Sequence, residues 1–276
     1  VYVWHDYGLP KSVEMWAKKP LVIAVSFSGE TEETLNVFDA VRERGYDAAA
    51  VSGNPDGALH KKAESKNLPR VSFAPYLRAG EGLTPRTSCG YMFYSCVLLL
   101  SRCFELNIQE LALADAVDAA SLESGGKDLA EKLKGGITLI YAHYPYGALG
   151  RLWKANINET AKLPAFSYEV PELAHNEIAA FSGESGTGCK FNSLFLIDES
   201  DELRAGKAGR IAELLKGMAN PNIVKLRGNT IVERMWNGAV LGLWTSYYLA
   251  ELLGSDPEKV ELIERLKGRN QQPRSA

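Results

Sequence analysis

Short apolar runs alternate with longer amphipathic stretches along the chain. The apolar runs have the length of buried strands, and the stretches between them place apolar residues at every third or fourth position, as helices do. In the first half, the predicted strands are 21–26, 47–52 and 70–74, and the predicted helices are 31–44, 56–66 and 88–105. This alternation predicts a parallel sheet with helices on both faces.

The second half repeats the alternation after an acidic helical segment, 107–135, that has a Ser- and Gly-rich break at 121–126. Its predicted strands are 137–142, 165–169, 192–197 and 222–226, and its predicted helices are 147–161, 201–219, 230–253 and a last short helix from Asp256 to Lys267. The predicted fold is therefore α/β, with two flavodoxin-like three-layer αβα domains built on mainly parallel sheets. The predicted domains are 1–106 and 136–276, and the predicted helical connector is 107–135.

The first predicted strand ends in a connection rich in Ser, Thr and Gly, Ser26-Phe27-Ser28-Gly29-Glu30-Thr31. The first N–H groups of the helix that follows have no internal partner, and the helix dipole places its positive end there. Gly29 allows close backbone approach, and Ser26, Ser28 and Thr31 add hydroxyl donors. The pattern predicts a phosphate-binding loop; the alternative is an ordinary capped helix start, because Ser and Thr also favour caps.

Charge near this loop narrows the expected ligand. Glu30, Glu32 and Glu33 share the turn and would repel a phosphate that they faced, so they are expected to point to solvent. The loop lacks the Gly-Lys-Ser/Thr step of a nucleotide P-loop, which favours a small phosphorylated metabolite. The corresponding loop of the second half, 196–201, is acidic and cannot hold a phosphate, so the second half is expected to contribute other groups.

The composition is that of a soluble globular protein, with 46% hydrophobic and 24% charged residues among 276. A net charge of −3 argues against a nucleic-acid partner, and no apolar run reaches transmembrane length, so no membrane partner is predicted. Cys89, Cys96 and Cys103 lie seven residues apart on one predicted helix, too far apart for disulfides. No His or Cys spacing is typical of a metal site. The expectation is a cytoplasmic protein without a metal or other cofactor.

Four further motifs accompany the Ser/Thr loop, which resembles the sugar-phosphate loop of the sugar isomerase (SIS) domain. They are Pro85-Arg86-Thr87-Ser88 before an apolar helix, Asn156-Ile157-Asn158-Glu159, His175-Asn176-Glu177, and the closing helix from Asp256-Pro257 to Lys267. Together they resemble the bifunctional phosphoglucose/phosphomannose isomerase family from about Tyr7 to Lys267. The resemblance implies two SIS-type domains and an aldose–ketose isomerase. That enzyme interconverts glucose 6-phosphate, and also mannose 6-phosphate, with fructose 6-phosphate through a cis-enediol, without a cofactor.

The resemblance also implies a role for each motif residue. Glu159 would move the proton between C2 and C1, and His175, oriented by Glu177, would open the sugar ring from the neighbouring subunit of a homodimer with shared active sites. Arg86 would stabilise the enediolate, and Lys267 would reach the sugar oxygens near the ring-opening step. Each of these side chains also has an ordinary alternative role, as a solvated surface charge or a satisfied loop histidine.

The sequence departs from the family in two places. The family's first strand ends in a Gly-x-Gly-Gly-Ser loop that has no counterpart here, and the chain opens at Val1 in a strand-like Tyr2-Val3-Trp4, so the first domain is expected to be truncated at its start. Glu30 also stands where Asn is more usual. The alternative function is therefore a non-catalytic sugar-phosphate-binding SIS module. A third interpretation, a transaldolase-like or amidotransferase partner domain, has no sequence feature in its favour.

Overall fold

The computed structural model describes residues 1–16, 18–74, 83–105, 116–182 and 188–269. The chain divides into two compact units, Val1–Glu110 and Leu111–Ala276. Within the described residues, no helix combines the length and the apolar character needed to cross a bilayer. All four cysteines lie in the described part of the chain, and each is a thiol.

The described residues of the first unit form a parallel sheet of three strands in the order β1-β2-β3. The strands are β1 (Leu21–Ser26), β2 (Asp47–Ser52) and β3 (Arg70–Ser72), and the helices are α1 (Val13–Trp16), α2 (Glu32–Glu43), α3 (Ala58–Ser65) and α4 (Cys89–Phe104). Apolar residues of α2 and α3 cover one face of the sheet, and α4 covers the other through Leu99 and Cys96. The central strand, β2, is buried on both faces after its first residue, as expected for a parallel sheet between helices.

In the described part of the second unit, four parallel strands have the order β5-β4-β6-β7. The strands are β4 (Ile137–His143), β5 (Ala165–Val170), β6 (Phe191–Ile197) and β7 (Asn222–Lys225). The helices are α5 (Ala119–Leu133), α6 (Gly147–Asn156), α7 (Glu202–Leu214), α8 (Ile231–Leu253) and α9 (Glu261–Arg269), with a π-helical segment at Ile157–Ala161 and 3-10 turns at Glu172–His175 and Glu177–Phe181. The predicted α/β fold with parallel sheets is confirmed.

The two faces of the second sheet carry different elements. Ile140 and Ala142 pack with side chains of α5, α6 and α8 on one face. Leu139 and Tyr141, which alternate with them along β4, pack on the other face with α7 and with the turns between β5 and β6. One face of the sheet is therefore covered by α5, α6 and α8, and the other by α7 and the turns between β5 and β6.

Helix α5 runs through the predicted break at 121–126, so that prediction is wrong. A Cβ on Gly126 would lie 2.4 Å from Cβ of Trp244 on α8. The glycine therefore permits close packing of α5 against α8 and does not end the helix. Since Leu129 and Leu133 of α5 also belong to the core of the second unit, this part of the predicted connector packs as a layer of that unit.

Two terminal predictions also differ from the structure. Residues 1–5 form no strand and are exposed; instead, Nε1 of Trp4 donates to the carbonyl of Gly8 at 2.9 Å. The last helix begins at Glu261 rather than at Asp256, because the Asp256 carboxylate accepts the N–H of Glu258 at 2.9 Å and forms a local turn.

Candidate active site

The Ser/Thr loop lies at the carboxyl end of β1, directly before α2. Ser26 is buried, and its Oγ accepts the N–H of Gly29 at 3.1 Å and lies 2.8 Å from Oγ1 of Thr31. Thr31 is the N-cap residue of α2 but makes no side-chain capping bond. The hydroxyl of Ser26 therefore shapes the loop, and Thr31 leaves the first-turn N–H groups of α2 available to an anion.

A second loop, between β2 and α3, packs directly against the first. Gly29 has a φ of +74°, and a Cβ there would lie 3.0 Å from Oγ of Ser52 and 3.1 Å from Cα of Gly57. The carbonyl of Gly29 accepts the N–H of Leu59 at 2.9 Å. Gly29 is thus required both for its left-handed conformation and for the close approach of two backbones.

The sequence predicts that the Glu30 carboxylate points to solvent, but in the structure it also makes a hydrogen bond within the protein. It is exposed, but Oε1 accepts the N–H of Ala58 at 2.7 Å. Ala58 is the first residue of α3, whose N-cap residue, Gly57, supplies no side-chain bond. Glu30 therefore caps α3, and the positive end of that helix dipole stabilises its charge.

Arg86 lies in the turn before α4 and is 9% exposed. A row of aromatic rings joins the start of that helix to the Ser/Thr loop: the ring of Phe73 lies 6.1 Å from that of Phe27 and 5.4 Å from that of Tyr91. Since Phe73 directly follows β3, this row runs along the carboxyl edge of the first sheet. The first unit therefore places the Ser/Thr loop and the turn of Arg86 at one edge, where ligands of such folds bind.

Glu159 lies in the π-helical segment that continues α6. Such segments are rare and occur frequently at functional sites. Its position is fixed by neighbours: Oδ1 of Asn158 accepts the N–H of Ala165, the first residue of β5, at 2.8 Å, and Nε1 of Trp153 donates to the carbonyl of Gly238 on α8 at 2.8 Å. The half-buried Glu159 side chain thus projects from a firmly held backbone.

Asn156 is the last residue of α6, directly before this segment, and is 1% exposed. Neither its Oδ1 nor its Nδ2 has a hydrogen-bond partner within the described part of the chain. An unsatisfied buried amide destabilises a fold by about 1–3 kcal/mol, so its presence three residues before Glu159 marks this segment as unusual.

His175 is exposed at the end of the first 3-10 turn after β5, and its ring makes no hydrogen bond within the described residues. Glu177, expected to orient it, instead accepts the hydroxyl of Tyr141 at 2.7 Å. Burial and this carboxylate together raise the pKa of Tyr141. Glu177 therefore anchors the turns to β4, and its role in orienting His175 stays a prediction.

The second sheet separates Glu159 from His175. Glu159 follows α6, and Trp153 of that helix packs with Ile140 on one face of the sheet. His175 belongs to the same 3-10 turn as Leu173, which packs with Tyr141 on the other face. The two segments also leave β5 at opposite ends, since Asn158 bonds its first residue and the 3-10 turn follows its last. The second unit of one chain therefore does not bring Glu159 and His175 together.

Lys267 lies on α9, where its side chain is exposed. The apolar side chains of this helix, Leu262, Ile263 and Leu266, are exposed as well. The helix follows α8 after a short connection that contains Asp256. Lys267 thus lies on a helix, α9, whose apolar side chains are exposed.

A buried polar network occupies the carboxyl edge of the second sheet and was not predicted. The Asp198 carboxylate, 5% exposed, accepts the hydroxyl of Tyr146 at 2.7 Å and both the N–H and the hydroxyl of Ser200, and it lies 3.3 Å from the guanidinium of Arg234. The backbone N–H of Asp198 donates to Nε2 of the buried His143 at 3.1 Å. The Asp198 carboxylate is thus engaged in contacts within the second unit, and the absence of a phosphate site in this acidic loop stays a prediction.

These contacts shift two pKa values in opposite directions. Burial raises the pKa of Tyr146 to about 12, with a further contribution from the Asp198 carboxylate. Burial alone would raise the pKa of Asp198, but the hydrogen bonds from Ser200 and Tyr146 and the charge of Arg234 outweigh it and hold that pKa below its usual value. Tyr146 and Asp198 are 52 positions apart in the sequence, so no local motif predicts their contact. Nowhere in the described residues do His, Cys, Asp and Glu side chains form a group of three or more that could hold a metal ion.

The fold resembles that of solved phosphosugar enzymes. The structure of glucosamine-6-phosphate deaminase from Thermotoga maritima superimposes with a TM-score of 0.66, and the match covers 95% of this chain and 75% of that one. The two sequences are 14% identical, so the likeness concerns the fold alone.

Sequence comparisons identify the family. Residues 122–269 match the model of the bacterial phospho-glucose isomerase C-terminal SIS domain. The bifunctional phosphoglucose/phosphomannose isomerase of Aquifex aeolicus is 32% identical over 275 residues, covering 96% of this chain and 80% of that protein. The enzyme of the same description from Thermoplasma volcanium is 30% identical, covering 97% of this chain and 82% of that protein. The chain therefore belongs to the bifunctional phosphoglucose/phosphomannose isomerase family.

Proposed function

We propose that this protein is an aldose–ketose isomerase that interconverts glucose 6-phosphate, and also mannose 6-phosphate, with fructose 6-phosphate. The observation that carries the proposal is that a chain of this family has both an uncapped helix start behind a Ser/Thr loop, in its first unit, and a carboxylate on a π-helical segment, in its second. The loop suits a phosphate, and the carboxylate suits proton transfer. Both are needed for a sugar-phosphate isomerase.

The Ser/Thr loop binds the substrate phosphate in this proposal. Ser28 and Thr31 donate their hydroxyls, Gly29 allows close approach, and Ser26 holds the loop in shape through its contacts with Gly29 and Thr31. The first-turn N–H groups of α2 add their partial positive charge. Such contacts are made equally in the ground and transition states, so they contribute to binding more than to turnover.

Glu159 is the base that removes the proton from C2 and returns it to C1. Its half-buried position and the tightly held backbone around it favour a fixed geometry for this transfer. Arg86 stabilises the negative charge of the enediolate, since a guanidinium next to developing charge lowers the barrier. Lys267 contacts the sugar oxygens and assists the opening of the ring. These proton transfers use the side chains of the chain and require no cofactor.

His175 opens the ring in the active site of a neighbouring copy, so the active form is a homodimer with shared sites. Two observations support this assignment: the ring is exposed, and the second sheet stands between it and Glu159. A neutral imidazole can accept and return a proton near neutral pH.

The domain organisation of this enzyme is proposed as an SIS domain over 1–106 and a second over 136–276, with 107–135 between them. The two compact units support this division, and α5 places most of that middle segment in the packing of the second. We further propose that the enzyme acts in the cytoplasm, since its four cysteines are thiols.

The proposal is tested by following fructose 6-phosphate with purified protein by NMR, which distinguishes glucose 6-phosphate from mannose 6-phosphate as products. Formation of either product, abolished in Glu159→Gln, is expected. Saturable binding of fructose 6-phosphate without any product would instead identify a non-catalytic sugar-phosphate-binding module. Absence of both binding and turnover would overturn the proposal.

A further inference from the structure

Lys162 ends the π-helical segment that carries Glu159. Its backbone is left-handed, with φ 58° and ψ 30°. Its ammonium donates to the carbonyl oxygen of Glu159 at 2.7 Å and to that of Thr160 at 3.2 Å. These are carbonyls at the helix end, which lack intrahelical partners and where the dipole favours a cation. The first contact is therefore made with the backbone of the proposed catalytic base.

The same ammonium reaches a distant part of the chain. It donates to the carbonyl oxygen of Asp256 at 2.6 Å, across 94 residues of sequence. Asp256 lies two residues after Gly254, which ends α8, and five before Glu261, which begins α9. One side chain thus joins the segment of Glu159 to the connection that leads to Lys267.

The identity of the residue supports a specific use for this side chain. The left-handed position at a helix end is normally occupied by glycine, as it is by Gly254 at the end of α8. A side chain other than Gly or Asn is disfavoured there by about 1 kcal/mol. A lysine in this position places an ammonium where three carbonyl oxygens converge, which glycine cannot do.

We propose that Lys162 is a positioning residue that fixes the base-bearing segment of Glu159 against the connection before α9. The proposal rests on the proposed isomerase function for its catalytic consequence, although the tie itself is independent of it. Loss of the ammonium would let the two segments move separately, and small displacements of a catalytic group lower turnover strongly. Phosphate binding in the first unit would be unaffected.

The test compares Lys162→Gly with wild type in hydrogen exchange and in steady-state kinetics. Glycine suits the left-handed conformation, so the variant is expected to fold, and relief of the backbone strain should partly offset the loss of the three hydrogen bonds. Exchange of backbone amides in 255–269 should become faster, and kcat should fall about 10- to 100-fold with little change in KM. Lys162→Arg, which keeps a cation and its donors, should retain more activity than Lys162→Gly.

Asn67→Gly is the matched control, because Asn67 also has a positive φ (51°) and lies in the first unit. It should change neither exchange in 255–269 nor kcat. Unchanged exchange in 255–269 of Lys162→Gly would overturn the tie, and faster exchange with unchanged kcat would overturn the positioning role. If wild type shows no isomerase activity, the proposed function fails, and the exchange measurement still decides whether Lys162 holds the two segments together.

Discussion

The hydroxyl oxygens of Ser26 and Thr31 lie 2.8 Å apart across the turn that joins β1 to α2. Ser26 is buried, so this contact and the N–H of Gly29 occupy its oxygen inside the loop. Ser28 is only half-buried, and its Oγ accepts the N–H of Glu30 at 3.1 Å, which leaves its hydroxyl proton for a ligand. In this loop, Ser26 therefore fixes the backbone conformation, and Ser28 can donate a hydrogen bond to a ligand.

Replacing Ser28 by alanine should weaken substrate binding. A hydrogen bond to a charged phosphate contributes about 1.5–3 kcal/mol, so KM for fructose 6-phosphate should rise about 10- to 100-fold while kcat changes little. Ser65→Ala removes an exposed serine at the end of α3 and serves as the control. A KM for Ser28→Ala equal to that of the control would remove the loop from the binding site.

Glu30→Gln should strengthen phosphate binding. The amide oxygen of glutamine can still accept the N–H of Ala58 and cap α3, but the negative charge beside the loop is lost. Exposed charges interact weakly, so KM should fall by no more than about fivefold, and the difference should shrink at high salt. Glu64→Gln, at the far end of α3, is the control, and a higher KM in Glu30→Gln would contradict this account of the loop.

Inactive His175→Ala and inactive Glu159→Ala chains should restore activity when mixed. In a mixed dimer with shared sites, one site keeps both an intact Glu159 and an intact His175 from different chains. Up to about a quarter of the wild-type activity is expected after full subunit exchange, since half of the dimers are mixed and each has one complete site. Exchange proven by differently tagged chains, without recovered activity, would place both residues in the site of one chain.

The polar network around Asp198 should make stability depend on pH. Its pKa is lowered in the folded protein, so its contribution is fully present above the usual aspartate range and is lost as the pH falls through the folded value. Asp198→Asn should lower stability by about 3 kcal/mol at neutral pH, because the Arg234 guanidinium loses its counter-charge. The Tm gap between wild type and the variant should narrow on acidification. A gap that stays constant down to acid pH would show that the charge of Asp198 is not involved.

Local pattern was sufficient to predict most strands and helices, because buried parallel strands and amphipathic helices each have a characteristic period. The Ser/Thr loop was predictable for the same reason, since its hydroxyls, its glycine and the helix start are adjacent in sequence. Gly126 was wrongly predicted to interrupt a helix, because the reason for a glycine there is its close packing against Trp244, which is distant in sequence.

The parts of the candidate site that sequence did not predict depend on contacts between distant residues. The π-helical widening around Glu159 replaces an ordinary helix end, and no residue in that segment signals it. From the sequence alone, Lys162 would be predicted to be a solvated surface lysine, because its contact with Asp256 spans 94 residues. Glu177 was expected to orient His175, two residues before it, whereas its hydrogen-bond partner is Tyr141 on β4.

Hydrogen exchange at C2 of glucose 6-phosphate in Glu159→Gln tests the central assignment most directly. Glutamine keeps the shape of glutamate but cannot accept the proton, so exchange of the C2 hydrogen with deuterated solvent should slow by about 10²–10⁴-fold. Ring opening, measured separately as the rate of anomer interconversion, should change little because His175 performs it. Exchange at the wild-type rate would show that Glu159 is not the base, and Glu172 or Glu177 would then become the candidate.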